Sequence, residues 1–411
     1  MLGRSLNSLG IWGPRDGRAH RVMPTAADAC ALAARRLPRL IFDFIDGGAG
    51  YEKAIELNQA DLLALRLLPR VLVDVQGEDL GTTFLGRRYN LPFGIAPMGM
   101  CDLAWPGTDK AFAAEASQRG FPLCVSTASS TTLEEMLRLS DGHAWFQLYV
   151  TGSIDTAMRF VDRAASAGYA NLLLTVDVPK LGKRPRDLRN GFETPFRIKA
   201  PQFLDFAMHP RWSIGTLVAG KPRMANFGTG PNTKGYDRKA PRDGADWSFL
   251  ARLRDHWKGK LVVKGVLSSE DAVAIRDAGA DAVYVSNHGG RQLDSAPSTI
   301  SALPAIRAAV GPDYPLLFDG GVRSGEDVVK ALASGADFVL LGRPFLYAMA
   351  ADGARGVSSF LDSLTSDVAV ALAQVGLKRV EDINEAILAS TSARKSGGAK
   401  PILLRGSGAG S

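Results

Sequence analysis

The sequence predicts an α/β protein built as a (β/α)8 TIM barrel, with an N-terminal helical cap and a long insertion after the fourth strand. Three observations predict it. Short apolar runs recur about eight times along the 411 residues. Most of these runs are continuous rather than alternating, as strands buried on both faces are. Helical patterns follow most of them, and repeated strand–helix units build a parallel sheet. Eight units without a reversal favour a closed barrel over a doubly wound sheet.

In order, the runs predict strands at Leu91–Ala96, Phe121–Ser126, Ala144–Val150, Asn171–Val176, Lys260–Lys264, Asp281–Ser286, Pro315–Asp319 and Asp337–Leu341. Helices are predicted at Asp109–Arg119, Thr132–Leu139, Ser153–Ala167, Ser268–Ala278, Thr299–Val310 and Gly325–Ser334. Residues 24–70 lie outside the repeat. They hold a helix at Ala26–Arg36, a turn at Asp46-Gly47-Gly48-Ala49-Gly50 and a second helix near Tyr51–Leu63, which read as a cap on the barrel. Residues from about 185 to 245 also lie outside it. A loop of that length inside a compact domain is a lid, a binding loop or a disordered region. This one carries Gly, Pro and basic residues and an apolar piece from Phe203 to Trp212. The expected layout is a frayed arm over 1–23, one barrel domain over 24–390 and a tail over 391–411.

Composition bounds the function. Apolar residues at 46% and charged residues at 22% describe an ordinary globular chain, not a disordered one. No apolar run approaches the roughly 20 residues needed to span a bilayer. The net charge of +7 invites a nucleic-acid reading. Lys and Arg are spread along the chain, however, without a basic helix, a zinc pattern or a helix-turn-helix, which argues against nucleic acid. Cys30, Cys101 and Cys124 cannot all pair within one chain and show no metal-type spacing, so a reducing cytoplasm fits best. Residues 1–23 lack the apolar core of a secretory signal.

In such a barrel the chemistry lies at the C-terminal ends of the strands. Here those ends are Pro97-Met98-Gly99, Ser126-Thr127, Gln147 with Tyr149, Thr175 with Asp177, Lys264, Ser286-Asn287-His288, Asp319-Gly320-Gly321-Val322-Arg323 and Gly342-Arg343. Each polar residue alone reads as a cap or turn residue. That reading weakens when nearly every strand ends this way. After the last two strands, Gly320, Gly321 and Gly342 let the backbone approach an anion, and Arg323 and Arg343 supply fork-shaped donors. The combination predicts a phosphate-bearing ligand; without a G-x-G-x-x-G after a strand, it is not a dinucleotide. Isolated histidines usually serve structure. His288, set among Asn287, Gly289, Gly290 and Arg291, suits a general base beside an anion clamp, with Asp177 to orient it. Lys264 on an apolar strand needs a negative partner, either a reduced cofactor or an acid inside the barrel.

Ser286-Asn287-His288-Gly289-Gly290-Arg291-Gln292-Leu293-Asp294 resembles the signature of the FMN-dependent L-2-hydroxy-acid oxidising family, which includes glycolate oxidase, L-lactate dehydrogenases and (S)-mandelate dehydrogenase. Trp145–Val150, Leu174–Asp177, Val263–Gly265, Asp319–Arg323 and Leu341–Pro344 match in order, and the resemblance runs from about Pro38 to Ala350. It implies a TIM barrel, FMN as cofactor and a small 2-hydroxy acid as substrate. It casts His288 as the base, Asp177 as its partner, Arg291 and Arg184 as the pair near the substrate carboxylate, and Tyr149 as a hydrogen-bond donor to substrate. Lys264 would stabilise the reduced flavin. Pro97, Met98, Gly99, Ser126, Gln147, Thr175 and Ser286 would hold the ring and ribityl chain, and Asp319, Gly320, Gly321, Arg323, Gly342 and Arg343 the chain and phosphate.

Departures from the family pattern narrow the substrate. Phe44 stands where many members carry a carboxylate-binding tyrosine. Met98 replaces a common threonine. Gly99 and Ala128 are small, as in mandelate-type members, and leave room for an aromatic or bulky side chain. His209–Ser213 and Ala225–Phe227 resemble the segment that docks membrane-bound mandelate and lactate dehydrogenases. Trp212 with Arg197, Lys199, Arg211, Lys221 and Arg223 suits anionic lipid; the rival is a lid over the flavin. The resemblance thus implies a dehydrogenase, a homotetramer, peripheral on the inner face of the cell membrane, passing electrons to a quinone. Two alternatives remain: a soluble oxidase that makes hydrogen peroxide, and an FMN enzyme repurposed for a peptide-derived or biosynthetic intermediate.

Overall fold

Eight parallel strands close on themselves in the order of the chain, each paired with the next and the last with the first. The computed structural model describes residues 23–192, 198–220, 222–227 and 244–389. Residues 1–22 of the expected arm, the whole expected tail over 391–411, and Arg197 and Lys221 of the expected lipid-facing segment lie outside the described residues. The barrel strands are β3 (Phe93–Met98), β4 (Leu123–Ser126), β5 (Ala144–Leu148), β6 (Asn171–Thr175), β7 (Lys260–Val266), β8 (Ala282–Val285), β9 (Leu316–Phe318) and β10 (Phe338–Leu341). Each falls on one of the eight apolar runs. All are buried along nearly their whole length, because helices cover the outside and side chains fill the inside.

The helices outside the barrel follow the sequence closely. They are α4 (Thr108–Arg119), α5 (Leu133–Leu139), α6 (Ile154–Ala167), α11 (Ser269–Asp277), α12 (Thr299–Val310) and α13 (Gly325–Ala333). Their starts are chemically marked: Thr132, Ser153, Ser268, Ser298 and Ser324 each accept a backbone N–H of the first turn. The cap holds α1 (Ala26–Arg36), α2 (Arg39–Asp46) and α3 (Lys53–Ala64). Only α1 and α3 are evident from periodicity, since α2 is eight residues long and follows Pro38 directly.

Four features differ from the sequence expectation. A hairpin of β1 (Thr82–Phe84) and β2 (Arg87–Tyr89) turns on Leu85 and Gly86, both at positive φ. It pushes Phe84 and Tyr89 against Trp145 and Phe338, closing the barrel's lower end with an aromatic plug. The insertion is not an uninterrupted loop: its described part contains α7 (Pro185–Asn190), α8 (Ala200–Met208) and α9 (Pro210–Ala219), all begun by a proline in the first turn. It is followed by α10 (Trp247–His256). After the last strand comes α14 (Arg343–Gln374), broken at Asp352 and Gly353, whose angles are not helical.

Candidate active site

The upper mouth opens into a cavity of about 1390 Å³, solvent at its entrance included. His288 lines it, with Asp177 hydrogen-bonded behind. Beyond β8 the chain passes through three successive left-handed residues, His288 (φ 58°), Gly289 (62°) and Gly290 (74°). A histidine there costs on the order of 1–2 kcal/mol. Ser286 Oγ helps to hold the turn by accepting the His288 N–H at 3.1 Å. The turn directs Nδ1 to both Asp177 oxygens, at 3.0 and 3.1 Å, and Nε2 to the Tyr149 hydroxyl at 3.3 Å. An ionised Asp177 fixes the tautomer with hydrogen on Nδ1 and leaves Nε2 as the basic atom.

The electrostatics agree with that tautomer. Burial lowers the His288 pKa most, and Lys264 and Arg184 add to it; Asp177 opposes them without winning. For Asp177, burial acts upward, but the His288 and Lys264 charges hold the carboxyl below its usual range. The result at neutral pH is a neutral imidazole beside a carboxylate, the form a general base requires.

Beneath the cavity lies a belt of buried polar side chains, one from almost every strand. Register sets Ser126 beside Gln147 and Thr175 beside Lys264. Ser126 Oγ donates to Gln147 Oε1 at 2.8 Å, and Gln147 Nε2 donates to Thr175 Oγ1 at 2.9 Å. Lys264 Nζ donates to Ser286 Oγ at 2.9 Å, and Ser286 donates to Asp319 at 2.6 Å. Lys264 also stands 4.0 Å from Asp177 and 3.9 Å from Asp319, over the Tyr284 ring. Acids inside the barrel thus partner this lysine directly.

The cationic groups above the belt are arranged differently. Arg291 donates to the Gly47 carbonyl at 2.6 Å, and Arg343 to those of Gly289 (2.8 Å), Gly47 (3.1 Å) and Ile45 (3.2 Å). Arg323 donates to its neighbour's carbonyl at 2.9 Å. Burial pushes both Arg291 and Arg323 below the usual guanidinium range; Arg184 and Arg343 press Arg291 down further. None of these three guanidiniums forms an ion pair with a carboxylate among the described residues. Arg291 and Arg343 converge on the C-terminal end of α2, where carbonyls accept from them.

That donor set, with the glycines beside it, fits a phosphate-bearing flavin. Gly320 and Gly321 adopt φ of 110° and 89°; a Cβ on Gly321 would stand 2.5 Å from the Asn58 carbonyl. Arg323, Arg343 and Gly342 line the same end of the cavity. Pro97, Met98, Gly99, Lys264 and Asp319 also line the cavity. Ser126, Gln147, Thr175, Ser286 and Asp177 sit below the lining, within the belt or behind His288.

On the substrate side, Phe44, Ala128, Tyr149, Arg184, His288 and Arg291 are brought together. Phe44 lies under the Arg291 guanidinium at 5.4 Å and stacks on Phe192, with centroids 4.2 Å apart and planes 5° from parallel. Phe192 and Met224 come from the insertion and line the cavity. Neither was evident in the sequence, because a residue in irregular chain carries no periodic signal. Gln292, beside Arg291, donates from Nε2 to the Asp177 and Lys180 carbonyls at 3.0 Å each. Asn287 exchanges two amide hydrogen bonds with Asn58 of α3, fastening the cap to the His288 turn.

Residues 33–390 match the family described as FMN-dependent dehydrogenase. The chain belongs to that family. It is an FMN enzyme and an oxidoreductase acting on CH–OH groups. It is 42% identical over 376 residues to an L-lactate dehydrogenase of Caulobacter vibrioides, covering 90% of this chain and 98% of that one. It is 41% identical over 359 residues to the (S)-mandelate dehydrogenase of Pseudomonas putida, covering 86% and 90%. The crystal structure of a monotopic membrane protein, (S)-mandelate dehydrogenase, superposes with a TM-score of 0.86 at 39% identity, covering 90% of this chain and all of that one. No helix among the described residues is long and apolar enough to cross a membrane.

Proposed function

We propose that the protein oxidises an aromatic or otherwise bulky L-2-hydroxy acid to the 2-oxo acid and delivers the electrons to a quinone-type acceptor. The observation that carries this reading is His288, neutral, tethered to Asp177 and facing the cavity between Tyr149 and the arginines. Arg291, with Arg184 beside it, binds the substrate carboxylate. Tyr149 hydrogen-bonds the substrate, and His288 Nε2 takes the proton that oxidation releases. Asp177 stabilises the imidazolium so formed. FMN supplies the two-electron sink; Pro97, Met98, Gly99, Ser126, Gln147, Thr175, Lys264 and Ser286 would hold its ring and chain, and Asp319, Gly320, Gly321, Arg323, Gly342 and Arg343 its chain and phosphate.

The bulky-substrate reading is supported by the wall that faces these groups. Ala128 and Gly99 remove volume on one side, and the Phe44–Phe192 stack offers an aromatic face on the other. Anaerobic titration of the visible flavin band tests it: L-mandelate should bleach the band at lower concentration than L-lactate or glycolate. A band that none of the three bleaches would refute the 2-hydroxy-acid reading.

The acceptor reading draws on α8 and α9. Phe203, Leu204, Met208, Ile214, Leu217 and Val218 are all at least 61% exposed, with Lys199, Arg211 and Arg223 exposed nearby. Such a face suits peripheral contact with anionic lipid. Co-sedimentation with phosphatidylglycerol vesicles, weakened by salt, is the expected result. A protein that ignores vesicles and makes stoichiometric peroxide in air is a soluble oxidase instead. The reading also carries a homotetramer, which light scattering checks.

A further inference from the structure

The insertion returns to the barrel at Met224–Phe227, and there Asn226 is 3% exposed. Its Nδ2 faces the Ser126 carbonyl at 3.4 Å, the Thr127 carbonyl at 3.2 Å and the Ser129 hydroxyl at 2.9 Å. Its Oδ1 accepts the Leu133 N–H at 2.8 Å. Neighbouring backbone extends the contact: Ala225 N–H donates to the Ser129 carbonyl at 2.9 Å, and Arg163 donates to the Asn226 carbonyl at 3.0 Å. One side chain from the insertion therefore bonds both ends of the connection from β4 to α5.

That connection carries site residues at one end. Ser126 belongs to the buried belt and accepts the Ala128 N–H at 3.2 Å; Ala128 lines the cavity. The far side is held by Asp109, whose carboxylate accepts from Ser130 and Thr131 at 2.6 and 2.9 Å. The segment is thus clamped between a carboxylate and an amide, and of the two only the amide reaches the Ser126 and Thr127 carbonyls. A structural role would require only that the segment be held. Asn226 bonds the two carbonyls immediately before Ala128, so its loss moves the cavity wall first.

We infer that Asn226 is a positioning residue: through Ser126 and Thr127 it sets the Ala128 wall, and with it the discrimination between bulky and small 2-hydroxy acids. The inference rests on the proposed function. Asn226→Ala should lower the kcat/KM ratio of L-mandelate to L-lactate about tenfold, and raise the FMN dissociation constant about as much, as loss of the two bonds to the Ser126 and Thr127 carbonyls would. The melting temperature should fall as well, because the Leu133 N–H loses its acceptor, so the ratio between the two acids and not stability is the readout. Asn226→Asp keeps the volume and the acceptor for Leu133 while losing the donors, so it should shift the ratio in the same direction even if the alanine variant folds poorly. Equal losses on both acids would reduce Asn226 to a structural role and overturn the inference. If wild-type protein oxidises neither acid, the proposed function fails, and the FMN dissociation constant decides alone: an unchanged value in both variants overturns the positioning role.

Discussion

Replacing Asp177 by asparagine isolates the charge behind the base. The carboxylate lies 3.0 Å from His288 Nδ1. A unit-charge pair at about 4 Å, the span from a carboxylate to the centre of a hydrogen-bonded imidazolium, is worth about 4 kcal/mol at an effective permittivity of about 20. Asparagine keeps the shape and removes that attraction. It also leaves Lys264, now 4.0 Å from this carboxylate, to repel the imidazolium without compensation. Flavin reduction under anaerobic stopped flow at saturating substrate should slow by about three powers of ten. KM should change little, because Arg291 and Arg184 are untouched. The pH profile supplies an independent sign. Asp177 raises the His288 pKa against a larger burial effect that keeps it below the usual histidine value. Wild-type kcat/KM should therefore rise with pH through a limb below about 6.5 and stay level above it. Without Asp177 the limb should move to lower pH still. A variant that reduces flavin within tenfold of wild type, or a limb that moves upward, refutes the assignment of base and partner.

Three other perturbations probe the surroundings. Phe44→Tyr places a hydroxyl beside Arg291 and should raise kcat/KM for L-lactate about tenfold, since a hydrogen bond to a charged group is worth about 1.5–3 kcal/mol; unchanged steady-state kinetics would show that the carboxylate lies out of its reach. Gly321→Ala forces a side chain into φ 89°, with its Cβ 2.5 Å from the Asn58 carbonyl. It should cost about 2 kcal/mol or more in urea unfolding and weaken FMN binding. Asp109 is pushed up to about 6, by burial first and the Asp102 charge second. The folded state thus binds this proton more tightly than the unfolded one, so the stability it contributes is present at low pH and lost as pH rises through about 6. Asp109→Asn keeps an acceptor for Ser130 and Thr131 and should flatten the melting-temperature profile between pH 4 and 6; an unchanged slope would place the titration elsewhere.

The barrel was legible because burial on both faces writes strands as continuous apolar runs, and all eight runs became strands. The candidate site is legible where chemistry repeats at strand ends: the structure gathers His288, Asp177, Lys264 and the arginines after β8, β9 and β10 around one mouth. What escaped was built from chain without a period. Helix α2 is too short for its pattern to register, and Phe192 and Asn226 sit in irregular stretches of the insertion, where nothing local says that one will stack on Phe44 and the other will hold Ser126 and Thr127. The hairpin turn at Leu85-Gly86 has a local signal, a glycine between two short β-prone runs, yet leucine at positive φ masks it.

The charges of the mouth divide by depth. Asp177 and Asp319 lie low, beside Lys264, and the first of them also beside His288. Arg291, Arg323 and Arg343 lie higher and rest on carbonyls. A buried guanidinium on neutral acceptors keeps most of its desolvation cost, whereas a carboxylate or phosphate in the same place offsets it with charge-assisted bonds. The upper layer is therefore complete only when it holds anions. The lower layer is complete already and holds His288 oriented through Asp177, while burial, with Lys264 and Arg184, keeps it neutral. On the proposed function, a substrate carboxylate held by Arg291 and Arg184 would offset the Arg184 charge that helps to depress the His288 pKa. The base would then be stronger in the complex than in the free enzyme, when its proton is to be received.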